Sequence, residues 1–235
     1  MYTPEEAVVV KAAEQLMADT MAKYDPSHDA YHVERVRRTA LRIAHQVSIE
    51  TPSVHPDLFV VELAALLHDV LDKKYVSAAL ASDPYAFFVP FFQVCAAEGG
   101  VDLIADGRAQ VIAKIVDNVS WSTEKRLRVT GMVTPWHKEC VELHCVQDAD
   151  RLDAIGAFGI MRCSAYSTVS NRPLHTPAED PAQDSSAIQH FHHKLLHIKD
   201  RLKTAPGKRM GEKRHQFMVN FLNEVNGEFN GEDLA

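Results

Sequence analysis

The stretch DLFVVELAALLHDV, residues 57–70, constrains this chain more than any other. Placed on a helix, it is apolar on nearly every side. Such a helix has to be a central, buried member of a bundle, covered by other helices. Yet the run ends in His68 followed at once by Asp69, and Asp72 comes one turn later. Buried imidazoles and carboxylates are rare unless they are paired or bound to a metal. A carboxylate at this end of a helix also meets the negative pole of the helix dipole. A bound divalent cation removes both penalties, and a purely structural His–Asp pair capping the core helix is the simpler alternative. Asp72, beside Lys73 and Lys74, reads either as a solvated helix-end carboxylate or as part of a site.

The remaining sequence supplies helices to cover this one. TPEEAVVVKAAEQLMADTMAKY opens with Thr3 as an N-cap, Pro4 at the first helical position and Glu6 completing a capping box. After a break at 25–27, a helix is expected from about His28 to Ser48, with Val33, Val36, Ala40, Ile43, Ala44 and Val47 at helical spacing. Residues 73–100 predict shorter helices interrupted at Pro84 and Pro90. RAQVIAKIVDNVSW predicts a helix running into a polar loop at 122–131. PWHKECVELHCVQDADRLDAIGAFGIMRC predicts a long helical stretch with a break near Asp148. Residues 171–185 carry three prolines and little apolar matter, which predicts a surface loop. Closing helices are expected at about 186–203 and 208–225, before a polar tail. No alternating strand pattern of useful length occurs. The expected fold is all-α, a single-domain multi-helix bundle over residues 1–235.

A formal net charge of −7 lacks the basic footprint of broad nucleic-acid binding. It leaves room for a small anionic substrate in a local basic pocket. RVRR at 35–38 and GKRMGEKR at 207–214 read as solvated helix faces. Cys95, Cys140, Cys145 and Cys163 form no CxxC pair, and MYTPEEAVVV lacks the order of a signal peptide. No apolar run nears the roughly 20 residues that span a bilayer. A soluble cytoplasmic protein with reduced thiols and no membrane contact is the expectation.

If the His68–Asp69 pair binds a metal, it needs further ligands. His32, in SHDAYHVERV, sits one turn before Val36 on a face that packs inward, and His28 shares that face if the helix starts early enough. Asp148, Asp150 and Asp153, in QDADRLDAIGAFGI, precede an apolar run, and any of them is also explained as stabilising negative charge at a helix start. Two other groupings carry less weight. CVELHC at 140–145 has loose zinc spacing without a second pair. His190, His193 and His197 fit a solvent-facing or packing face of a closing helix.

The order His, His-Asp, Asp in a helical chain resembles the HD-domain superfamily of metal-dependent phosphohydrolases. SHDAYHVERV, LAALLHDVLDKKY, IVDNVSWS, VQDADRLDAIGAFGIMR and HFHHKLLHIKDRLKTAPGKRMGEKRHQFM are similar to successive blocks of a small stand-alone HD hydrolase subgroup, over about residues 25–222. The resemblance implies an HD-type bundle and assigns His32, His68, Asp69 and Asp150 as metal ligands. It selects His32 over His28, and Asp150 over Asp148 and Asp153. Two imidazoles and two carboxylates suit one octahedral-capable divalent ion such as Mn, Fe, Co or Ni, with Mg also admissible.

The implied reaction is hydrolysis of a small phosphorylated substrate by metal-activated water, with a nucleotide or deoxynucleotide favoured and phosphate or pyrophosphate released. His68 and Asp69 are expected at the reaction centre. Asp72 occupies the position where related proteins often have a Glu acting through water. Lys74 and Arg35 are candidates for phosphate, and Arg35 fits a pairing role with Asp29 or Asp69 equally well. Asn118 and Ser120 are placed as polar pocket residues, or as a helix C-cap. Lys125 and Arg151 are weaker phosphate candidates. A nucleotide-binding regulatory module with little turnover is the alternative. A di-iron centre lacks the extra His/Asp block it would need between the HD pair and the last Asp.

Overall fold

The computed structural model describes residues 2–26, 28–71 and 83–232. Every element among them is helical, as expected of an all-α chain. Eleven α-helices are described, and their Cα trace divides into two compact units, Met1–Tyr24 with His28–Ala149, and Asp25–Ser27 with Asp150–Ala235. No helix among the described residues is long and apolar enough to cross a membrane.

In the first unit, α1 (Pro4–Met21) begins as its sequence dictates. Thr3 accepts from the Glu6 N–H, Glu6 accepts from the Thr3 N–H, and Pro4 fills the first turn. The next helix, α2, runs Ala30–Glu50 rather than from His28. Asp29 is the reason: its carboxylate accepts from the His32 N–H at 2.9 Å and fixes the start. Asp57 likewise caps α3 (Leu58–Leu67), accepting from Phe59 and Val60. From Phe59 to Leu67 all nine side chains of α3 are buried, including Glu62. It packs against α1, α2 and α5 (Arg108–Val119), and so lies at the centre of its unit. Leu63, Leu66 and Leu67 are fully buried, and each contributes about 1.5–3 kcal/mol relative to exposure.

Pro84 starts α4 (Pro84–Ala97) and Pro90 lies within it, so Pro90 does not interrupt the helix as expected. Burial of Phe88, Phe92 and Cys95 on one face holds it despite the lost hydrogen bond. The polar loop expected at 122–131 is instead largely helical, as α6 (Trp121–Val129). Ser120 caps it, accepting from the Thr123 N–H at 3.1 Å, while Glu124 in the first turn and Arg126 and Arg128 in the last complement its dipole. A short α7 (Pro135–Glu139) leads into α8 (Val141–Asp153). The expected break near Asp148 does not occur.

The unit boundary falls inside α8, between Ala149 and Asp150. In the second unit α8 ends at Asp153, and Gly156, at φ 76°, opens α9 (Gly156–Val169). That left-handed backbone is where the chain turns. Residues 171–185 form the expected surface loop, with a single 3-10 turn at Gln183–Ser185. The helix expected at 186–203 is broken into α10 (Ala187–His193) and two 3-10 turns, Leu195–His197 and Lys199–Arg201. The last helix, α11 (Ala205–Asn230), is longer than expected at both ends because Thr204 caps it early and its polar tail stays helical. It packs on α9.

Candidate metal centre

Two helix termini of the first unit meet at the HD pair. His32 lies in the first turn of α2 and is 1% exposed. His68 is the C-cap of α3 and is also buried. Asp69 follows it, and its Oδ2 lies 3.3 Å from His32 Nε2 and 3.4 Å from His68 Nε2. The two imidazole rings are 5.5 Å apart, edge to face. Asp150 joins them from α8, one residue past the unit boundary on a helix whose preceding turns belong to the first unit. Ligand atoms of His32, His68 and Asp150 all lie within 4.8 Å of one another.

The donor chemistry fits a metal. His68 Nδ1 lies 2.7 Å from the Ala65 carbonyl oxygen. A carbonyl only accepts, so Nδ1 is the donor there, and Nε2 is the nitrogen turned to the cluster. Burial acts to raise the pKa of Asp69, but the adjacent His68 and then His32 outweigh it and hold the carboxyl far below the usual carboxylate range. Two imidazole nitrogens and the Asp150 carboxylate thus gather where a single divalent ion could be held, with the Asp69 carboxylate against both imidazoles.

Among the described residues, this is where metal-capable side chains gather in threes. Neither Cys140, His144 and Cys145 nor His190, His193 and His197 form such a group. His28 precedes α2, so the two imidazoles do not share a helix face; its ring stands 5.9 Å from His32. The three aspartates of α8 separate clearly. Asp148 is fully buried, Asp150 is in the cluster, and Asp153 is paired with Arg162 at 3.1 Å.

No family model matches the chain. The protein YpgQ of Bacillus subtilis (strain 168) is 29% identical over 232 residues, 95% of this chain and 97% of its own length. Its crystal structure in complex with ADP has a TM-score of 0.64 at 28% identity, covering 92% of this chain and 97% of that one. An HD-superfamily hydrolase from Bacillus thuringiensis has a TM-score of 0.67 at 28% identity, covering 96% of this chain and 98% of that one. The fold is HD-superfamily-like.

Within this HD-like fold the other expected site residues that are described lie on α2, α5, α6 and α8. Arg35 is half-buried on α2, one turn beyond His32. Arg151 is 2% exposed and donates to the Arg201 main-chain oxygen at 2.9 Å. Asn118 is buried near the end of α5; its amide nitrogen donates to the Lys114 carbonyl at 2.9 Å and its amide oxygen faces His137 Nε2 at 3.0 Å. Ser120 ends α5 and caps α6, while Lys125 is exposed on α6. Asp72 and Lys74 lie outside the described residues.

Sequence reasoning passed over two residues that the structure makes prominent. Glu62 is a buried carboxylate in the middle of α3, bonded to Arg37 of α2. Its signal was present, as the one charged residue within an apolar run. Gln147, one turn before Asp150, is 2% exposed and donates to the Asn118 main-chain oxygen at 2.6 Å. No local pattern announces it, because its partner is a backbone atom distant in sequence.

Proposed function

We propose that this chain is a metal-dependent phosphohydrolase acting on a small phosphorylated substrate, with nucleotides and deoxynucleotides the favoured class and phosphate or pyrophosphate the product. The observation that carries this reading is the gathering of His32, His68 and Asp150 within 4.8 Å of one another, with Asp69 beside both imidazoles. The likeness to the B. thuringiensis HD-superfamily hydrolase supports the reaction class, and ADP in the YpgQ crystal supports the substrate class. The whole chain acts as one HD-type domain in the cytoplasm, without membrane or broad nucleic-acid partners.

One divalent ion, of the Mn, Fe, Co, Ni or Mg group, is held by those four side chains. Bound there it supplies Lewis acidity and an acidified water. His68 presents Nε2 because Ala65 retains its Nδ1 proton. Asp69 stays ionised because the imidazoles hold it so. Arg35 offers a fixed positive charge one turn from His32, and Lys74, Asn118, Ser120, Lys125 and Arg151 complete the proposed substrate contacts. Asp72 is the proposed proton carrier, acting through water.

The test is hydrolysis of a panel of nucleoside di- and triphosphates by chelator-treated protein, with and without added Mn²⁺. Phosphate and pyrophosphate release should vanish on metal removal and return with Mn²⁺. Full activity of the metal-free protein would sink the mechanism. Thermal stabilisation by nucleotides without any release would replace the enzyme by a nucleotide-binding module. Asp69→Ala should lose both bound metal and turnover while keeping its helical circular dichroism.

A further inference from the structure

Asp150 reaches the cluster only if α8 is rotated correctly about its own axis. A side-chain tip on an α-helix lies about 5–6 Å from the axis, so a 10° rotation displaces it by about 1 Å. Metal constellations tolerate roughly 0.5 Å. Leu143, Cys145, Val146 and Ala149 bury the apolar face of α8, and a directional bond refines the rotation that this packing sets.

In the first unit α8 makes directional bonds through Glu142, which accepts from the Asp57 N–H at 3.1 Å, through His144 and, nearest Asp150, through Gln147. Gln147 precedes Asp150 by three residues on the same continuous helix, so the two turn together. Its amide is buried and lies 2.6 Å from the main-chain oxygen of Asn118, at the end of α5. Because a carbonyl only accepts, the atom facing it is the amide nitrogen, donating. Asn118 is itself secured, by the Lys114 carbonyl and by His137 of α7. His137 is held in turn by the Thr134 N–H at 3.1 Å, and its own carbonyl accepts from His144 Nε2 of α8 at 2.9 Å. In the same unit, α5 packs on α3, the helix that ends in His68.

We infer that Gln147 is a positioning residue for the metal: its hydrogen bond to the Asn118 carbonyl fixes the rotation of α8 and so holds the Asp150 carboxylate in register with His32 and His68. This rests on the reading that these residues bind a divalent ion. Gln147 is not one of the proposed ligands. Outer partners that orient ligands in this way typically change metal affinity about 10–100-fold.

Chelator-stripped full-length protein is titrated with Mn²⁺ by calorimetry, using the wild type, Gln147→Met, Gln147→Glu and Asp150→Ala. Met matches the shape without a donor, and Glu keeps an oxygen that repels the Asn118 carbonyl. Both should weaken Mn²⁺ binding about 10–100-fold, and Asp150→Ala should weaken it further. Urea midpoints are recorded alongside. Reduced stability with wild-type Mn²⁺ affinity in both Gln147 variants overturns the positioning role and leaves the metal site standing. Failure of both variants to fold assigns Gln147 to stability alone and overturns the role too. Failure of the wild type to bind Mn²⁺, or wild-type affinity in Asp150→Ala, overturns the metal reading itself and this inference with it.

Discussion

The helices that carry His32 and His68 are fastened by one buried ion pair, and its two halves are not equivalent. Arg37 of α2 donates to Glu62 of α3 through Nε at 2.7 Å, and through a second nitrogen to the same oxygen. Glu62 is 3% exposed, with the Tyr2 hydroxyl on its other oxygen. Burial first, and the bonded Glu62 carboxylate second, push the Tyr2 phenol upward, so it remains a donor. Arg37 has additional partners, Glu14 at 2.7 Å and Glu34 at 3.2 Å, and its side chain is 19% exposed. Removing one member of a buried pair costs about 3–5 kcal/mol because the other is stranded. Arg37→Met strands Glu62 with only a phenol, so about 4 kcal/mol is expected. Glu62→Gln leaves Arg37 its two other carboxylates, and the cost falls to about 2 kcal/mol, near that of a hydrogen bond to a charged group. The double variant Arg37→Met/Glu62→Leu should be more stable than Arg37→Met by at least about 1 kcal/mol, since the stranded charge is gone. Urea unfolding at neutral pH, with unchanged slope, measures all three. Equal costs for the single variants, or a double variant costing their sum, would refute the reasoning.

Two further outcomes follow from particular residues. Gly156→Ala places a side chain at φ 76° and sets its Cβ 2.9 Å from the Arg214 side chain, so it should lower stability by about 1–2 kcal/mol in the same assay. His190 is pushed down to about 4 by burial, then by Lys194 and Arg172. Unfolded it takes up a proton near 6.5, so the unfolded chain binds more protons between those values and stability falls as pH drops from about 6.5 toward 4. His190→Gln should flatten that part of the pH–stability curve. An unchanged slope would show that His190 is not its source.

Much of this fold is legible because its signals are local. Thr3, Pro4 and Glu6 start α1 within one turn of sequence, and the apolar surface of Leu58–Leu67 leaves no place for it but the middle. Errors arose where a signal was local but ambiguous. Pro90 reads as a breaker until Phe88 and Phe92 are seen buried around it. Ser120 reads as the end of one helix and is also the start of the next, so the polar residues after it form α6. Asp29 caps α2, although the helix was expected to begin one residue before it. At the site, His68 and Asp69 stand out because they are out of place in an apolar run. Their partnership with Asp150 depends on three helices meeting, which no single stretch encodes. Gln147 is still less legible, since its partner is a main-chain oxygen that any residue at 118 would supply.

The Ala65 carbonyl that holds His68 Nδ1 is one that a continuing α-helix would give to the N–H of Asp69. α3 ends at Leu67, so the ring bonds a carbonyl of the helix's last turn. The protonation pattern of the imidazole is set by where a helix ends as well as by the identity of residue 68. A change that prolonged α3 by one turn would keep every ligand in the sequence and make His68 share that oxygen with a backbone N–H, as the Arg126 carbonyl is shared by the Thr130 N–H and hydroxyl.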